Sequence, residues 1–157
     1  MPDGWQRLWA PHRLEYLRGE NRPLDGNDVE CPFCRIPTLQ DEEALIVHRG
    51  KTAFVVMNLY PYNPGHLLIC AYRHVPDLTD LTDEERNEIG DLSAHAMKTI
   101  RKVSSPAGFN LGMNQGAISG AGVAEHIHQH IVPRWGGDAN FMPIIGKTKV
   151  LPQLLHL

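Results

Sequence analysis

The sequence predicts an α+β fold in which a mostly antiparallel, five-stranded sheet packs against one long helix. Two observations support this prediction: short aliphatic runs lie before and after a long amphipathic stretch, and tight turns separate the first of these runs. Three strands, a helix and two more strands, without regular alternation, are typical of this class. We expect one domain, residues 1–157, with an N-terminal arm and loop (1–28), a core (29–135) and a tail (136–157) that contains a shorter C-terminal helix.

The strands are predicted from short runs of aliphatic and β-branched residues that are bounded by turn residues. Gly50 separates the first two runs as a tight hairpin, and the Pro- and Gly-containing segment 61–65 makes a stiff connection before the third. The five expected strands are 44–48, 52–58, 66–72, 109–114 and 126–134.

One long helix is predicted to begin after Thr82. Thr82 and Glu85 have the spacing of a capping box, and acidic residues fill the first turn. Apolar residues then recur at intervals of three and four, which predicts one buried stripe along the helix. The stripe consists of Ile89, Leu92, Ala96, Ile100 and Val103.

The composition is that of a globular protein and disfavours several functional classes. The net charge of -3 argues against a general nucleic-acid binder, which would normally have a basic surface. No apolar run approaches the ~18 residues of a membrane span, and no signal peptide opens the sequence. Three cysteines do not make a disulfide framework. We therefore expect a cytoplasmic protein with no nucleic-acid and no membrane partner.

Three histidines at alternate positions give the strongest functional signal. In an extended strand His126, His128 and His130 share one face, while Ile127 and Ile131 point to the other face, toward a core. Imidazoles that are neutral near pH 7 can bind a metal, take up protons or attack a phosphorus atom. A solvated strand face and a His-x-His metal site are the competing interpretations of the same pattern.

This histidine run resembles the signature of the histidine-triad family of nucleotide hydrolases and transferases, in which three histidines alternate with apolar residues. Residues 58–66 resemble the family's ribose-binding turn, and 73–75 also fit, so that 29–135 match in order. Gln129 departs from the apolar pattern. The segment 134–141 resembles the bacterial branch that includes the actinobacterial diadenosine tetraphosphate phosphorylases.

The resemblance implies nucleotidyl transfer at an α-phosphate through a covalent nucleotidyl-histidine, a reaction that requires no metal. His128 would be the nucleophile, with its second ring nitrogen bonded to a backbone carbonyl. The other catalytic residues, His130 and His66, would bind the phosphate oxygens or protonate the leaving group. The implied nucleotide-binding residues are Asn58 at the ribose, Phe33, Ile36, Val56 and Leu59 at the purine, and Asn114, Gly120 and Gly122 at the phosphates.

The expected substrate is a dinucleoside polyphosphate such as diadenosine tetraphosphate, with inorganic phosphate or water as the acceptor. Two alternatives remain open. The chain could hydrolyse adenylyl conjugates, including phosphoramidates, or it could be a nucleotide-binding module whose triad is catalytically idle. Family members usually pair through the sheet edge, so we expect a homodimer or a higher homo-oligomer.

Cys31 and Cys34 form a Cys-x-x-Cys pair, which alone is half a zinc site or a redox pair. Some bacterial members of the family and the related galactose-1-phosphate uridylyltransferases complete such a pair with two histidines. The resemblance places these at His74 and His126 and thus implies a structural zinc site. The alternative is two reduced cysteines packed near the strand. Cys70, in a predicted strand, is expected to be a small core residue.

Overall fold

The computed structural model of the protein describes residues 31–119 and 123–138. The predicted arm and loop (1–28), the C-terminal helix, and Gly120 and Gly122 lie outside the described residues, so a single domain over the whole chain stays a prediction. Within the described ranges no helix is long and apolar enough to cross a membrane.

The described residues form one antiparallel sheet of five strands and a few helices, as the sequence predicted. The strands are β1 (Ile46–Arg49), β2 (Ala53–Met57), β3 (Leu67–Ala71), β4 (Gly108–Met113) and β5 (His128–Arg134). Their order in the sheet is β1-β2-β3-β5-β4, so β1 and β4 are the edges. The helices are α1 (Pro32–Arg35), α2 (Asp41–Ala44) and α3 (Asp83–Ser104), with 3₁₀ turns at Ile36–Thr38, Leu78–Asp80 and Ala117–Ser119.

The long helix α3 begins as predicted, and its apolar stripe differs from the prediction only at the last residue. The Thr82 hydroxyl accepts a hydrogen bond from the Glu85 N–H at 3.1 Å, and the Glu85 carboxylate accepts one from the Thr82 N–H at 3.3 Å. Ile89, Ala96 and Ile100 are buried. The prediction of a buried Val103 is wrong: it is 78% exposed, because the last turn of α3 extends past the residues that pack on the sheet.

Two apolar clusters lie on the two faces of the sheet, and the histidines lie on the face away from α3. Ile127 and Ile131 belong to the cluster that packs against α3. Phe33, Val56 and Cys70 belong to the cluster on the opposite face, and Cys70 is fully buried as expected. Since side chains alternate along β5, His128 and His130 point to the Phe33 side. The observed strand β5 begins at His128, two residues later than predicted, so His126 lies before the strand.

The carboxylate of Glu88 on α3 anchors the tight turn between β1 and β2. It accepts hydrogen bonds from the backbone N–H groups of Lys51, Thr52 and Ala53 at 2.7, 2.5 and 3.1 Å. Burial by itself would raise the pKa of Glu88, but these bonds outweigh it and hold the pKa below its ordinary value of 4.5. The ionised carboxylate therefore stabilises the folded state.

Replacing Glu88 with glutamine is expected to lower the free energy of unfolding at pH 7 by roughly 1.5–3 kcal/mol, the contribution typical of hydrogen bonds to a charged group. Urea denaturation of the two proteins measures this difference. The folded pKa is depressed, so the difference should persist above the unfolded pKa of 4.5 and shrink as the pH falls through the folded value. Equal urea midpoints at pH 7 would contradict the anchoring role.

Candidate active site

His128, the first residue of β5, is buried and has a defined tautomer. Its Nδ1 lies 2.8 Å from the backbone oxygen of His126. A carbonyl oxygen only accepts, so Nδ1 carries the proton and the in-plane lone pair of the neutral ring lies on Nε2. This is the backbone-carbonyl contact that the resemblance implied. It gives the ring the form that a nitrogen nucleophile needs.

His66 and His130 form a buried pair of rings beside His128. Nε2 of His66 lies 2.9 Å from Nδ1 of His130, and the Tyr62 backbone N–H donates to Nδ1 of His66 at 3.1 Å. Because Nδ1 of His66 accepts, its Nε2 carries the proton and donates to His130. The neutral His130 ring then has its own proton on Nε2. The His128 and His130 ring centroids are 5.0 Å apart, so the two rings are neighbours on one face of β5.

The structure brings together most of the apolar residues that the resemblance assigned to the purine. The Phe33 ring centroid lies 4.5 Å from that of His128, and Ile36 packs on the cluster that contains buried Phe33 and Val56. Leu59 is 67% exposed and does not belong to that cluster.

The polar candidates for nucleotide binding lie at the ends of strands. Asn58 follows β2, its side-chain oxygen accepts a bond from the Tyr60 N–H at 2.9 Å, and its Nδ2 lies 3.3 Å from Nδ1 of His66. Asn114 is buried directly after β4. Gly120 and Gly122 are outside the described residues, so their assignment to phosphate stays a prediction.

Four side chains from three parts of the chain converge on one point next to the histidines. The first turn of α1 places Cys31 and Cys34 together, because the Cys34 N–H donates to the Cys31 carbonyl at 3.0 Å. The Ile127 N–H donates to the Val75 carbonyl at 2.8 Å, which brings the segments of His74 and His126 side by side. All four ligand atoms lie within 4.8 Å of one another.

Four of the six separations between these atoms are close to those around a tetrahedral metal ion. Nδ1 of His126 is 3.3 Å from Nδ1 of His74 and 3.5 Å from each cysteine sulfur, and Cys34 Sγ is 3.3 Å from the His74 nitrogen. Bonds of about 2.05 Å to nitrogen and about 2.3 Å to sulfur put neighbouring tetrahedral ligands roughly 3.3 Å (N to N) and roughly 3.6 Å (N to S) apart.

The tautomer of His126 also suits metal binding. Its Nε2 lies 2.7 Å from the Ala71 carbonyl oxygen and therefore carries the proton, so the lone pair of Nδ1 faces the two sulfurs. Burial lowers the pKa of His126, which favours the neutral ring. A carbonyl that holds the second nitrogen of a histidine is the usual support of a metal ligand.

Two groups of residues near the histidines had no role assigned from the sequence. Tyr62 stacks on His66 with ring centroids 4.9 Å apart. Asn63 and Asp138 are joined by a hydrogen bond of 2.8 Å. These contacts could not be read from the sequence, because the Asn63–Asp138 bond joins residues far apart in the chain. The sequence showed only that Tyr62, Asn63 and Asp138 belong to segments that resemble the family.

The antiparallel sheet and the histidine arrangement are those expected of the histidine-triad family, and the match to a family model confirms that membership. The model described as the HIT domain matches residues 40–137, and the chain belongs to this family. Among curated proteins, it is similar to the AP-4-A phosphorylase of Mycobacterium tuberculosis H37Rv, with 52% identity over 98% of this chain and 80% of that protein.

Two more distant relatives extend the comparison. An asymmetrical bis(5'-nucleosyl)-tetraphosphatase of Schizosaccharomyces pombe is 36% identical over 59% of this chain and 50% of its own length. Among solved structures, a zinc-bound histidine triad protein from Mycobacterium smegmatis matches with a TM-score of 0.60 and 25% identity, covering 69% of this chain and 78% of that one.

Proposed function

We propose that the protein transfers a nucleotidyl group from diadenosine tetraphosphate through a covalent intermediate on His128. The observation that carries this proposal is the bond between His128 Nδ1 and the His126 carbonyl at 2.8 Å, which leaves the nucleophilic lone pair on Nε2. Membership of the HIT family and the similarity to an AP-4-A phosphorylase support the substrate class.

The proposed reaction has two displacements at the same phosphorus atom. In the first, Nε2 of His128 forms a bond to one α-phosphorus while the bond from that phosphorus to the bridging oxygen breaks, and ATP leaves. In the second, an oxygen of inorganic phosphate forms a bond to the phosphorus, the P–N bond breaks, and ADP leaves. The ring proton that His128 donates to the His126 carbonyl spreads the positive charge of the intermediate onto a fixed dipole.

His130 is proposed to act on the phosphate oxygens and His66 to act through His130. The proton on Nε2 of His130 can be donated to a non-bridging α-phosphate oxygen, where negative charge develops during transfer. Nε2 of His66 donates to Nδ1 of His130 at 2.9 Å and thereby keeps the proton of His130 on its Nε2. This makes His130 a catalytic residue and His66 a positioning residue. Phe33, Ile36 and Val56 are proposed to contact the base, with Asn58 at the ribose and Asn114 at the phosphates.

We propose that zinc binds Cys31, Cys34, His74 and His126. The convergence of the four ligand atoms supports this site, and so does the similarity to the zinc-bound protein from Mycobacterium smegmatis. Zinc here would fix the α1 turn and the residues before β5 and would take no part in the transfer.

Reduced thiols and a nucleotide substrate fit a cytoplasmic location, which we also propose.

The oligomer is proposed to be a pair of chains joined at β4. Among the described residues this strand is a sheet edge that pairs with β5 and with no other strand, and all six of its residues are half-buried in the single chain. An unpaired edge of this kind provides backbone donors and acceptors for a second copy.

Incubation with diadenosine tetraphosphate, with and without inorganic phosphate, tests the proposed reaction. We expect repeated turnover to ADP and ATP only when phosphate is present, because phosphate then accepts the nucleotidyl group; without phosphate, only the single ATP that leaves as the intermediate forms should be released from each chain. AMP and ATP in the absence of phosphate would make the protein a hydrolase. Saturable nucleotide binding without either product would contradict transfer and identify an idle binding module.

A further inference from the structure

A cluster of polar side chains joins the end of β5 to the turn that precedes His66. The Asp138 carboxylate accepts two bonds from the Arg134 guanidinium, one of them from Nε at 2.7 Å, and one from the Trp135 N–H at 3.1 Å. It accepts a fourth from Nδ2 of Asn63 at 2.8 Å. The Arg134 and Asp138 side chains are only 15% exposed, so solvent screens this pair weakly.

Asn63 links this cluster to His66. Its Nδ2 has two hydrogens, one for Asp138 and one for the Pro133 carbonyl at 2.9 Å. Its own backbone carbonyl accepts the His66 N–H at 3.2 Å. Gly65, between them, has a φ of +79°, and a Cβ there would lie 3.3 Å from the Pro133 ring, so the turn packs closely on β5.

Burial by itself would raise the pKa of Asp138, but the bonds from Arg134, Trp135 and Asn63 outweigh it and lower the pKa. The carboxylate is therefore ionised at neutral pH and keeps its four donors. The proposed chemistry does not use Arg134, Asp138 or Asn63 directly. These residues instead hold the backbone of His66 in place.

We propose that Asp138 is a positioning residue for nucleotidyl transfer, which through Asn63 holds the His66 ring behind His130. This inference rests on the proposed function. If His66 shifts, the His130 ring loses the donor that sets its tautomer, and its Nε2–H is no longer aimed at the phosphate. Misplacement of a positioned group by about 1 Å costs transfer about 100-fold, without a matching loss of binding.

The test compares Asp138→Asn with the wild-type chain in single-turnover formation of the nucleotidyl-enzyme. We expect the rate constant to fall about 10-fold to 100-fold, while the substrate concentration at half-saturation changes by less than about threefold. Asn63→Ala, which leaves the Arg134–Asp138 pair intact, should give the same pattern. An unchanged rate constant in both variants would overturn the proposal.

A double substitution tests the route through His66. In a His66→Ala background, Asp138→Asn should change the rate by less than about twofold, because the residue through which it acts is absent. A full loss in that background would overturn the proposal. Glu88→Gln is the matched control: it is also a carboxylate-to-amide change that destabilises the fold, and it should leave the transfer rate within about twofold of wild type.

Nitrogen NMR of the imidazole rings separates this proposal from the proposed function, because it needs no turnover. In the wild-type chain, His66 and His130 should each show a protonated Nε2. Asp138→Asn should convert His66 to a mixture of tautomers and leave His128 protonated on Nδ1. Unchanged His66 signals in this variant would overturn the positioning role, whatever reaction the protein catalyses.

Discussion

Replacing His128 with asparagine is expected to lower kcat for diadenosine tetraphosphate by roughly 10⁴-fold or more, the loss typical of removing a nucleophile. An amide nitrogen has no lone pair that can attack phosphorus. It can still donate to the His126 carbonyl that bonds Nδ1 of the native ring. The fold should therefore persist, with the urea midpoint close to that of the wild-type chain.

The control for this variant is His48→Asn, which changes an exposed histidine on β1, away from the site. Its kcat should stay within about twofold of wild type. Steady-state assays of product formation measure both variants. Retention of more than about 10% of the wild-type kcat by the His128 variant would contradict the assignment of the nucleophile.

Removing the proposed zinc, either with a chelator or by Cys34→Ser, is expected to have the second largest effect. A ligand present at about 1,000 times its Kd stabilises the folded state by about 4 kcal/mol, and its loss should lower Tm by roughly 8–16 °C in a chain of this size. The physical reason is that the metal would tie the α1 turn to the residues that precede β5. It would also relieve the repulsion between the His126 lone pair and the two sulfurs.

Metal analysis and thermal unfolding check this prediction, with Cys70→Ala as the control. Cys70 is buried in β3 outside the four-residue cluster, so its variant should keep about one zinc per chain. The Cys34 variant should hold less than about 0.2 zinc per chain. The same low content in gently purified wild-type protein would contradict the zinc site and favour the alternative of two packed, reduced cysteines.

The faces of the strands were predictable because their period of two is read directly from the sequence. Alternation placed Ile127 and Ile131 against α3 and His128 and His130 on the other face. The capping box likewise fixed the start of α3, since both of its residues lie within one turn. Val103 was misjudged because the period of a helix says nothing about where the sheet beneath it ends.

The relation between the histidines was not predictable, because it depends on contacts between distant segments. Only the fold shows that Nε2 of His66 is bonded to His130, 64 residues away. The position of Gln129, which departs from the family's apolar pattern, has a similar explanation. Its amide donates to the Ser93 hydroxyl of α3 at 3.4 Å, so a polar residue is accommodated on the helix side of β5.

The most direct test of covalent transfer through His128 is to trap the intermediate and locate it. The protein is mixed with diadenosine tetraphosphate in the absence of phosphate, quenched within one turnover, digested, and mapped by mass spectrometry under conditions that preserve P–N bonds. We expect one adenylyl group on His128, which disappears with release of ADP when phosphate is added before the quench. An adenylyl group on any other residue, or product formation with no covalent adduct, would contradict transfer through His128.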